Sequence, residues 1–525
     1  MRNSILFVSL LFVLLPFALN AQEKQDNCPD INVSIQIKDG KLIDLFDQIS
    51  TLTGVYFSYD PSLVDTDQPI SIEAKNQTID QVLRAVFSDR FSFRLLKNQL
   101  IITVNQQEDG SGDPTASIKS GFKLSGKLTD RQTHQSIPYA SISVSGHPFG
   151  TISNGDGEFR ITIPSEYKSE KLVFSCLGYS QHLISLDTLM QSELDIQLTP
   201  INVQLKEVKV TAIDPVDVMD KLIENIETNY ATSQQLMTSF YREVLKQNDD
   251  YINVSEAVMD ILKSSYGNTL RQDNIRYLKG RKTKEARPSV LMVDFKMQGG
   301  PYYITKLDVV KTRDSFIDPE FREYYKYKVD RVILYRGRPT VVIQFEPDGR
   351  FDYLTYEGEL YIDRESYALV YAAFSLSRNG KKVARKSLIR KKPRGFNVRP
   401  IELNYRVSYK NHNDRWYFNA AQASVKFHVK SRRDKINSVF HSISDLLVTD
   451  YRETNLKRFS RHENFNSSEI FSEIITDYDE DFWGDYNIIK PTEDLRNALK
   501  KEPAKESSFH TNQPTNQLTS QKSMP

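Results

Sequence analysis

The sequence predicts a multidomain, β-rich protein: a small α+β domain, then a β-sandwich, then a helix followed by an antiparallel meander curved like a half-barrel. Residues 31–105 switch between strand alternation and helical spacing. Residues 121–211 carry short alternating strands between turn signals, and residues 212–485 carry a longer series of such strands. Alternation with a period of two indicates strands, and apolar residues three and four apart indicate helices.

Composition bounds the class of protein. The length of 525 residues fits about three domains. The 69 basic and 68 acidic residues leave no overall field that would attract nucleic acid, so we predict no nucleic-acid partner. Cys28 and Cys176 are too few for a disulfide framework. They could pair with each other, but Cys28 lies in a polar leader and Cys176 in an apolar strand, which favours two unpaired thiols.

The first 21 residues have the parts of a secretory signal peptide. A basic start is followed by an apolar run at residues 5–19 and by a small residue, Ala21. A membrane anchor is the alternative, but the run contains a proline and is shorter than the roughly 20 apolar residues that a spanning helix needs. We therefore expect cleavage after Ala21, export to the periplasm and no transmembrane span in the mature chain.

The first domain, residues 31–105, reads as strand, helix, strand, strand, helix, strand, strand. Residues 31–37 alternate as INVSIQI, and residues 41–53 place an apolar stripe on one helical face. The second helix begins at the capping-box sequence TIDQ, residues 78–81, and carries a second stripe. A hairpin within residues 91–104 closes the domain.

This domain resembles the secretin and TonB short N-terminal domain. The resemblance is carried by IQIKDGKLIDLFDQISTLTGVYFSYD, TIDQVLRAVF and LIITV, which are patterns of apolar positions rather than fixed chemical groups. It implies a small periplasmic module that docks onto other proteins and has no catalytic residue. A generic α+β domain without a binding role is the alternative.

Residues 106–120, QQEDGSGDPTASIKS, have the composition of a flexible linker. In residues 121–211 short strands recur between turn signals, which predicts a small β-sandwich.

The sequence Asn154-Gly155-Asp156-Gly157 inside this domain could be a cation loop or a bare turn. A calcium loop needs about six oxygen ligands from carboxylates at alternating positions, and only Asp156 and Glu158 are near. Asparagine, aspartate and glycine tolerate the positive φ of a tight connection between strands. We predict the turn.

Residues 121–211 resemble the carboxypeptidase regulatory-like domain through LSGKLTDRQTHQSIPYASISVSG, GTISNGDGEFRITIP, KLVFSCLGYS and LKEVKVTA. The resemblance implies a transthyretin-like sandwich that is an accessory module and not a peptidase. None of the eight histidines has a glutamate three residues on, and no H-E-x-x-H or G-x-S-x-G occurs. We predict no enzymatic activity, no metal and no cofactor.

The two modules in this order resemble the leader of TonB-dependent outer-membrane receptors in Bacteroidota. Such a receptor would continue into a plug and a barrel of about 22 strands. Residues 212–525 are too few for that at about ten residues per strand plus loops. The resemblance implies a periplasmic protein associated with the outer membrane, whose leader is joined here to a different domain.

The third region, residues 212–485, begins with a predicted helix at residues 217–230. Predicted strands follow at residues 329–335, 340–345, 353–362, 369–376, 401–409, 416–428 and 439–449. Gly/Asn/Asp/Pro turn signals between them predict an antiparallel meander in the form of a curved sheet or half-barrel.

The segment VVIQFEPDGRFDYLTYEGELYIDRESYALVYAAFSL is similar in rhythm to the periplasmic lipoprotein carrier fold, a half-barrel that holds acyl chains. It also resembles the soluble part of Bacteroidota envelope proteins that carry the same regulatory sandwich. The first resemblance implies an apolar face that could hold lipid. A face covered by the protein's own core is the alternative and the more common fate of such sheets.

Residues 381–394, KKVARKSLIRKKPR, are strongly basic and contain no acid. The basic residues are Lys381, Lys382, Arg385, Lys386, Arg390, Lys391, Lys392 and Arg394. We predict a solvated hairpin and its flanks. The functional hypothesis is contact with anionic lipid headgroups or lipopolysaccharide phosphates.

The remaining candidates point to ordinary structure. His428 and His441 lie on successive predicted strands, but no third ligand is apparent, so we predict no metal site there. Glu357 and Glu359 share a strand face and are interpreted as surface residues. Residues 500–525 are polar and aperiodic, which predicts a disordered tail.

Two hypotheses of different class follow. In the leading one the protein is a non-enzymatic envelope scaffold: the first domain docks on a periplasmic or outer-membrane protein, the second is a rigid spacer, and the third presents a sheet face. In the alternative it is a periplasmic lipid or lipoprotein carrier with residues 212–485 as the container. An enzyme would need converging acid pairs that no motif indicates.

Overall fold

The computed structural model confirms a multidomain, β-rich protein. It describes residues 31–58, 64, 66, 68–87, 91–96, 99–104, 121–189, 193–201, 213–268, 271–282, 296–297, 300–350, 356–387, 389–391, 394–433, 435–459, 465, 471, 483 and 486–500. The predicted signal peptide, Cys28, the predicted linker and the predicted tail after Lys500 lie outside the described residues. The chain divides into two compact units, residues 1–110 and 111–525.

The first unit has the predicted order of elements. Its strands are β1 (Asn32–Lys41), β2 (Tyr56–Ser58), β3 (Pro69–Thr78), β4 (Phe91–Leu96) and β5 (Gln99–Val104), and its helices are α1 (Leu42–Thr53) and α2 (Ile79–Val86). Strand β1 pairs with β3, and β5 lies between β2 and β4. Helix α1 ends at Gly54, whose φ of 71° suits glycine. Helix α2 begins with the predicted capping box of Thr78 and Gln81. The apolar stripes of both helices share one core with the strands, in which Phe46 stacks on Phe57 at 4.2 Å.

The second unit begins with a β-sandwich. Its strands are β6 (Gly121–Asp130), β7 (Ser141–Val144), β8 (Gly150–Ile152), β9 (Glu158–Pro164), β10 (Lys171–Ser175), β11 (His182–Ser185) and β12 (Glu193–Leu198), with 3-10 turns at Ser165–Tyr167 and Leu186–Thr188. One sheet has the order β11-β10-β7-β8 and the other the order β12-β6-β9. Alternate apolar residues of both sheets meet in one core, where Phe159 and Phe174 pack edge to face at 5.6 Å.

A ten-stranded sheet forms the rest of the second unit. The strands of this region are β13 (Gln235–Gln247), β14 (Asp250–Lys263), β15 (Asn274–Lys282), β16 (Lys296–Met297), β17 (Tyr325–Tyr335), β18 (Arg338–Pro347), β19 (Tyr356–Asp363), β20 (Leu369–Leu376), β21 (Ile389–Lys391), β22 (Asn397–His412), β23 (Arg415–Ser431) and β24 (Ile436–Glu453). The sheet has the order β15-β14-β13-β24-β23-β22-β20-β19-β18-β17, and β16 pairs with β21. The seven predicted strands correspond to β17–β20 and β22–β24.

Strands β13, β14 and β15 were not predicted. They carry buried charged side chains such as Arg242, Glu256 and Arg281, which interrupt the apolar alternation that marks a half-buried strand. These three strands pair with one another at one end of the sheet, where β13 is next to β24. The last long strand of the chain, β24, therefore lies in the middle of the sheet.

The helices among the described residues of this unit are short. They are α3 (Pro215–Glu224), α4 (Ile226–Asn229), α5 (Pro301–Thr305), α6 (Val309–Thr312), α7 (Arg378–Ser387) and α8 (Glu493–Lys500), with a 3-10 helix at Pro319–Tyr324. The single helix predicted at residues 217–230 is wrong in its continuity: Asn225 interrupts it with φ −96° and ψ 10°, and its side chain donates to the Lys221 carbonyl. Asparagine side chains compete with the helix ladder in this way.

The predicted hairpin over residues 381–394 is wrong. Residues 378–387 form helix α7, and residues 389–391 form a short strand. Lysine, arginine and alanine are good helix formers, and the single β-branched residue Val383 does not outweigh them. Among the described residues, no helix has the length and apolar character needed to cross a membrane.

Candidate functional site

The large sheet has two faces with different coverings. We call the face that carries Tyr241, Ala421 and Leu446 the inner face, and the face that carries Phe240 and Leu447 the outer face. Helices α3–α6 pack on the inner face in the largest core of the chain. The sandwich and the C-terminal residues 486–500 contact the outer face.

A cavity of about 430 Å³ lies on the inner face, against helices α5 and α6. Small-molecule sites commonly occupy about 300–1,000 Å³. The apolar and aromatic part of its lining is Tyr303, Ile304, Leu307, Tyr356, Phe374, Pro400, Tyr405, Ala423, Val425 and Phe427. The polar part is Gly300, Lys306, Thr312, Asp314, Ser442 and Ser444.

The floor of the cavity follows from the strand register. Phe374, Tyr405, Ala423 and Ser444 lie opposite one another across β20, β22, β23 and β24. The two small side chains beside the two rings leave room above the sheet. From Ala423 to Phe427 strand β23 extends about 13 Å, so the floor is longer than a single side chain.

Aromatic rings form one wall. Phe374 packs against Tyr405 and Tyr356, in both cases with ring centroids 5.3 Å apart. Phe316 stacks on Phe345 at 4.5 Å behind them. Ring pairs of this kind restrict each other's rotamers, so the wall is shaped before any ligand binds.

Two carboxyl groups with raised pKa lie at the cavity and beside it: Asp314 lines the cavity, and Glu243 is the strand neighbour of Ser444, which also lines it. Burial raises the pKa of Asp314 to about 6, although the Thr312 hydroxyl donates to it at 3.1 Å. Burial also raises the pKa of Glu243, which accepts from the Tyr241 hydroxyl at 2.9 Å and lies opposite Ser444. The lining therefore includes one carboxyl group and the hydroxyls of Ser442 and Ser444, which can accept and donate hydrogen bonds.

A buried network fixes helix α6 beside the cavity. Asp308, which is fully buried, accepts from the hydroxyls of Tyr266 and Tyr409 at 2.8 Å and pairs with Lys263 at 2.8 Å. Breaking a paired buried charge costs about 3–5 kcal/mol. Around Asp308 the inner face is therefore covered by the protein's own core, whereas at the cavity it is open.

The outer face carries a row of polar residues in register. This polar row consists of Arg281, Glu256, Arg242, Asp445, Gln422 and Arg406, on β15, β14, β13, β24, β23 and β22. Glu256 accepts from Arg242 at 2.6 Å and from Arg281 at 2.7 Å, and these two arginines lower its pKa against the effect of burial. Asp445 accepts from Gln422 at 2.7 Å. Because positive and negative side chains alternate along the polar row, their charges offset one another, and the row can be covered by other parts of the protein.

Residues 486–500, which we call the strap, join the sandwich to the outer face. Ile488 and Ile489 pack with Ile152 of the sandwich and with Phe240 of the sheet. Arg242 donates from Nη2 to the Ile489 carbonyl at 2.5 Å. The strap therefore contacts both layers with the same few residues.

The strap also pairs with the edge of strand β9. The Asn487 side chain accepts from the Thr162 amide at 2.7 Å and donates to the Thr162 carbonyl at 3.3 Å. Glu158 binds Arg496 at 2.8 Å and Lys490 at 3.3 Å. A side-chain amide thus satisfies an edge strand that would otherwise be open to another chain.

The sequence Asn154 to Gly157 forms a turn that holds the strap. The Asn154 side chain accepts from the amides of Asp156 and Glu158 at 2.9 and 2.8 Å, and it donates to the Pro491 carbonyl at 3.1 Å. Gly157 has a φ of 77°. Asp156 accepts from the Glu493 amide at the start of α8 at 2.8 Å. Its carboxylate serves as a helix cap supplied from another part of the chain.

A second pocket, of about 190 Å³, lies between the sandwich and the outer face. The sandwich contributes residues 138–139 and 175–177, and the sheet contributes Arg336, Tyr371, Arg406 and Asp445. Cys176 is free and half-buried here, and burial raises the pKa of its thiol to about 11.

The predicted basic residues do not all have described side chains. Lys381 is half-buried and Lys382 and Arg394 are exposed. Lys382 donates to Asn379 at 3.4 Å. The side chains of Arg385, Lys386, Arg390 and Lys391, and the whole of Lys392, lie outside the described residues.

The two histidines and two glutamates have separate partners. His428 bonds to Asn437 at 2.7 Å and His441 to Ser424 at 2.8 Å. Glu359 accepts from the Tyr361 hydroxyl at 2.6 Å, and Glu357 is exposed. In the part of the chain that the structure describes, no three His, Cys, Asp or Glu side chains are placed to hold a metal ion.

Sequence reasoning did not find the cavity, the polar row or the strap. The cavity depends on which small and large residues share a register across four strands. The strap has no apolar periodicity, although Asn487-Ile488-Ile489 before Pro491 is an apolar signal within a polar segment.

Solved structures show only distant similarity. A domain described as an outer membrane lipoprotein-sorting protein domain, from Vibrio parahaemolyticus, is 11% identical, with 46% of this chain and 95% of that chain covered and a TM-score of 0.24. A DUF1329 family protein from Desulfovibrio piger is 9% identical, with 46% and 95% covered and a TM-score of 0.21. Lipovitellin is 9% identical, with 45% and 27% covered and a TM-score of 0.20. TM-scores below 0.5 do not establish a common fold.

Comparison of sequences gives a clearer result for the sandwich. None of the curated proteins compared with this sequence matches it. The family model of the CarboxypepD_reg-like domain matches residues 124–210, which run from strand β6 to beyond β12. The chain therefore contains a CarboxypepD_reg-like domain at residues 124–210.

Proposed function

We propose that this chain is an exported, non-enzymatic protein of the cell envelope that carries an acyl chain in the cavity on the inner face of its large sheet. The observation that carries the proposal is the cavity of about 430 Å³ with a lining that is mostly aliphatic and aromatic. An acyl chain needs no hydrogen bond along its length and gains about 25 cal/mol for each Å² of apolar surface that it buries.

The polar groups at the cavity suit the head of such a ligand. Asp314, Ser442 and Ser444 line it, and Lys306 lies at the exposed side with its ammonium over the Tyr302 ring at 4.4 Å. A carboxyl or ester group could accept from the serine hydroxyls. The signal-peptide pattern at residues 1–21 supports export to the periplasm, and the leader-like order of the first two domains supports work at the outer membrane.

The buried charges support a role without catalysis. Glu256 is paired with two arginines, and Asp308 with Lys263 and two tyrosine hydroxyls. Groups that are saturated by partners hold elements together and are poor acids, bases or nucleophiles.

Ala423→Trp tests the carrier proposal. The new ring would occupy the floor of the cavity beside Tyr405. Ala85→Trp is the matched control, because Ala85 is exposed on helix α2 of the other unit. Palmitate binding to each full chain is measured by native mass spectrometry after purification without detergent.

We expect a palmitate adduct with the wild type and with Ala85→Trp, and at least a tenfold weaker adduct with Ala423→Trp. Overpacking costs about 1–3 kcal/mol, so thermal melts show whether the variant remains folded. No adduct with the wild type, or an equal adduct with a folded Ala423→Trp variant, contradicts the carrier role.

Docking through the first unit is a second candidate function. Residues 31–105 fold around their own core, which supports a separate module that binds periplasmic or outer-membrane proteins. Cross-linking in the host envelope with full-length chain and with residues 31–105 deleted tests this. We expect one cross-linked protein that is lost on deletion and kept in Ala423→Trp. Cross-links that survive the deletion would refute docking through this unit.

A further inference from the structure

We propose that the pocket between the sandwich and the outer face of the large sheet is a second binding site, for a small ligand that carries a carboxylate beside a planar ring. The pocket is separate from the inner cavity, because it lies on the opposite face of the sheet. Both the sandwich and the sheet line it, so the site exists only when the two are joined.

Arg336 is the first reason for an anionic ligand. It lies in the turn between β17 and β18 with a φ of 51°, and it lines the pocket. Its Nε is shielded from solvent and has no acceptor among the described residues, so a ligand in the pocket would be bound by the terminal Nη groups. A carboxylate is the acceptor that best fits a guanidinium, because it accepts two parallel hydrogen bonds.

Arg406 is the second cation at the pocket. It donates to Gln422 at 3.3 Å, and a guanidinium has five N–H donors. The carboxyl group in the lining is Asp445, which already accepts from Gln422 and lies beside Arg242 in the polar row. The described lining therefore holds two guanidinium groups against one carboxyl group.

Burial strengthens this imbalance. It raises the pKa of Asp445, although Gln422, Arg242 and Arg406 all oppose the rise. Lys410 lies nearby and donates to the carbonyls of His147 and Phe149 at 3.0 and 3.4 Å. Burial, together with the charge of Arg336, lowers the pKa of Lys410 to about 7. Burial disfavours a charge of either sign, so only the contribution of Arg336 to the lowered Lys410 pKa indicates a positive potential here.

Tyrosine rings give the ligand its shape. Tyr139, Tyr335 and Tyr371 line the pocket. Arg336 stacks on the Tyr335 ring at 5.3 Å, and Arg406 on the Tyr139 ring at 5.8 Å. Tyr139 has a φ of 58°, which a tyrosine rarely adopts, and it lines the pocket from the sandwich. Rings beside guanidinium groups suit a flat ligand with an acidic group at its edge.

Cys176 supplies a direct measurement, because it lines the pocket. In the full chain carrying Cys28→Ser it is the only thiol, and its alkylation by iodoacetamide reports whether the pocket is occupied. Its raised pKa makes labelling slow, which gives time for protection to be seen. The probe is benzoate. Benzyl alcohol, which has the same ring but no charge, is the control ligand.

We expect benzoate to slow the labelling in a saturable way and benzyl alcohol to leave it unchanged. Arg336→Gln should weaken protection by about 10- to 100-fold, the value of one charged hydrogen bond. Arg433→Gln is the matched control: Arg433 is exposed in the turn after β23, about 30 Å along the strand from Gln422.

No protection of the wild type by benzoate would overturn the proposal, as would equal protection by benzyl alcohol. Equal losses in Arg336→Gln and Arg433→Gln would overturn it as well. If Arg336→Gln melts at a lower temperature than the wild type, Arg406→Gln takes its place under the same criteria. Palmitate binding in the inner cavity is measured in parallel, so a failure here is distinguishable from a failure of the carrier proposal.

Discussion

Replacing Asn154 with alanine should loosen the strap from the sandwich. Asn154 is 2% exposed, and its side chain makes three hydrogen bonds: it accepts from the amides of Asp156 and Glu158 and donates to the Pro491 carbonyl. Each contributes about 0.5–1.5 kcal/mol, so the free energy of unfolding of this region should fall by roughly 1.5–4.5 kcal/mol. The two part-buried amides left without an acceptor place the result in the upper half of that range.

Hydrogen exchange followed by mass spectrometry resolves this prediction. Peptides from residues 150–160 and from the strap should both exchange faster in Asn154→Ala, whereas peptides from residues 31–58 should be unchanged. Asn154→Asp keeps the acceptor oxygen and loses the donor to Pro491, so its exchange should rise mainly in the strap. If the strap exchanges as slowly in Asn154→Ala as in the wild type, and urea unfolding shifts by less than about 0.5 kcal/mol, the turn does not hold the strap.

Three further predictions concern the large sheet. Glu256→Gln should lower the free energy of unfolding by about 3–5 kcal/mol because two buried arginines lose the negative charge that neutralises them. Urea unfolding beside the exposed control Glu357→Gln measures this change, and equal small losses in both variants would contradict a buried triad. The Asp314 pKa of about 6 lies above its usual 3.8, so the folded state holds a proton that the unfolded state has lost, and stability falls as pH rises from about 4 to 6. Asp314→Asn should therefore be more stable than the wild type at pH 8 by up to ~3 kcal/mol and equally stable near pH 4. If urea unfolding gives the same difference between the variant and the wild type at both pH values, this assignment is rejected. Leu495→Ala removes a side chain that is 3% exposed. It should lower the free energy of opening of the strap, measured by hydrogen exchange, by about 2–5 kcal/mol. Unchanged exchange would show that α8 is held by its polar contacts alone.

Local signals account for the elements that the sequence predicted well. The capping box at Thr78 and Gln81 begins α2, and the alternation in residues 401–409 and 416–428 marks β22 and β23. Such signals act between residues that are near in sequence, so one segment read by itself is enough to detect them.

The sequence-based errors have two physical causes. Strand β14 carries Glu256 and Asp260 on its outer face, and both are buried only because arginines from neighbouring strands neutralise them. Residues 378–387 became a helix because helix propensity outweighed the expected strand continuation. The first error therefore depended on contacts between strands that are distant in sequence, whereas the second was a local helix preference that the strand prediction did not weigh.

By itself the sequence determined the β-rich class, the order of elements in residues 31–104, the CarboxypepD_reg-like domain and the turn at Asn154. These features depend on the spacing of apolar residues, on the residue types that favour turns and on a domain's sequence pattern, each within one continuous segment. Only the tertiary structure decided that residues 486–500 return to clamp the sandwich onto the sheet through Asn154 and Glu158. It also decided that Ala423 and Ser444 lie side by side and leave a cavity, because strand register brings together residues that are distant in the chain.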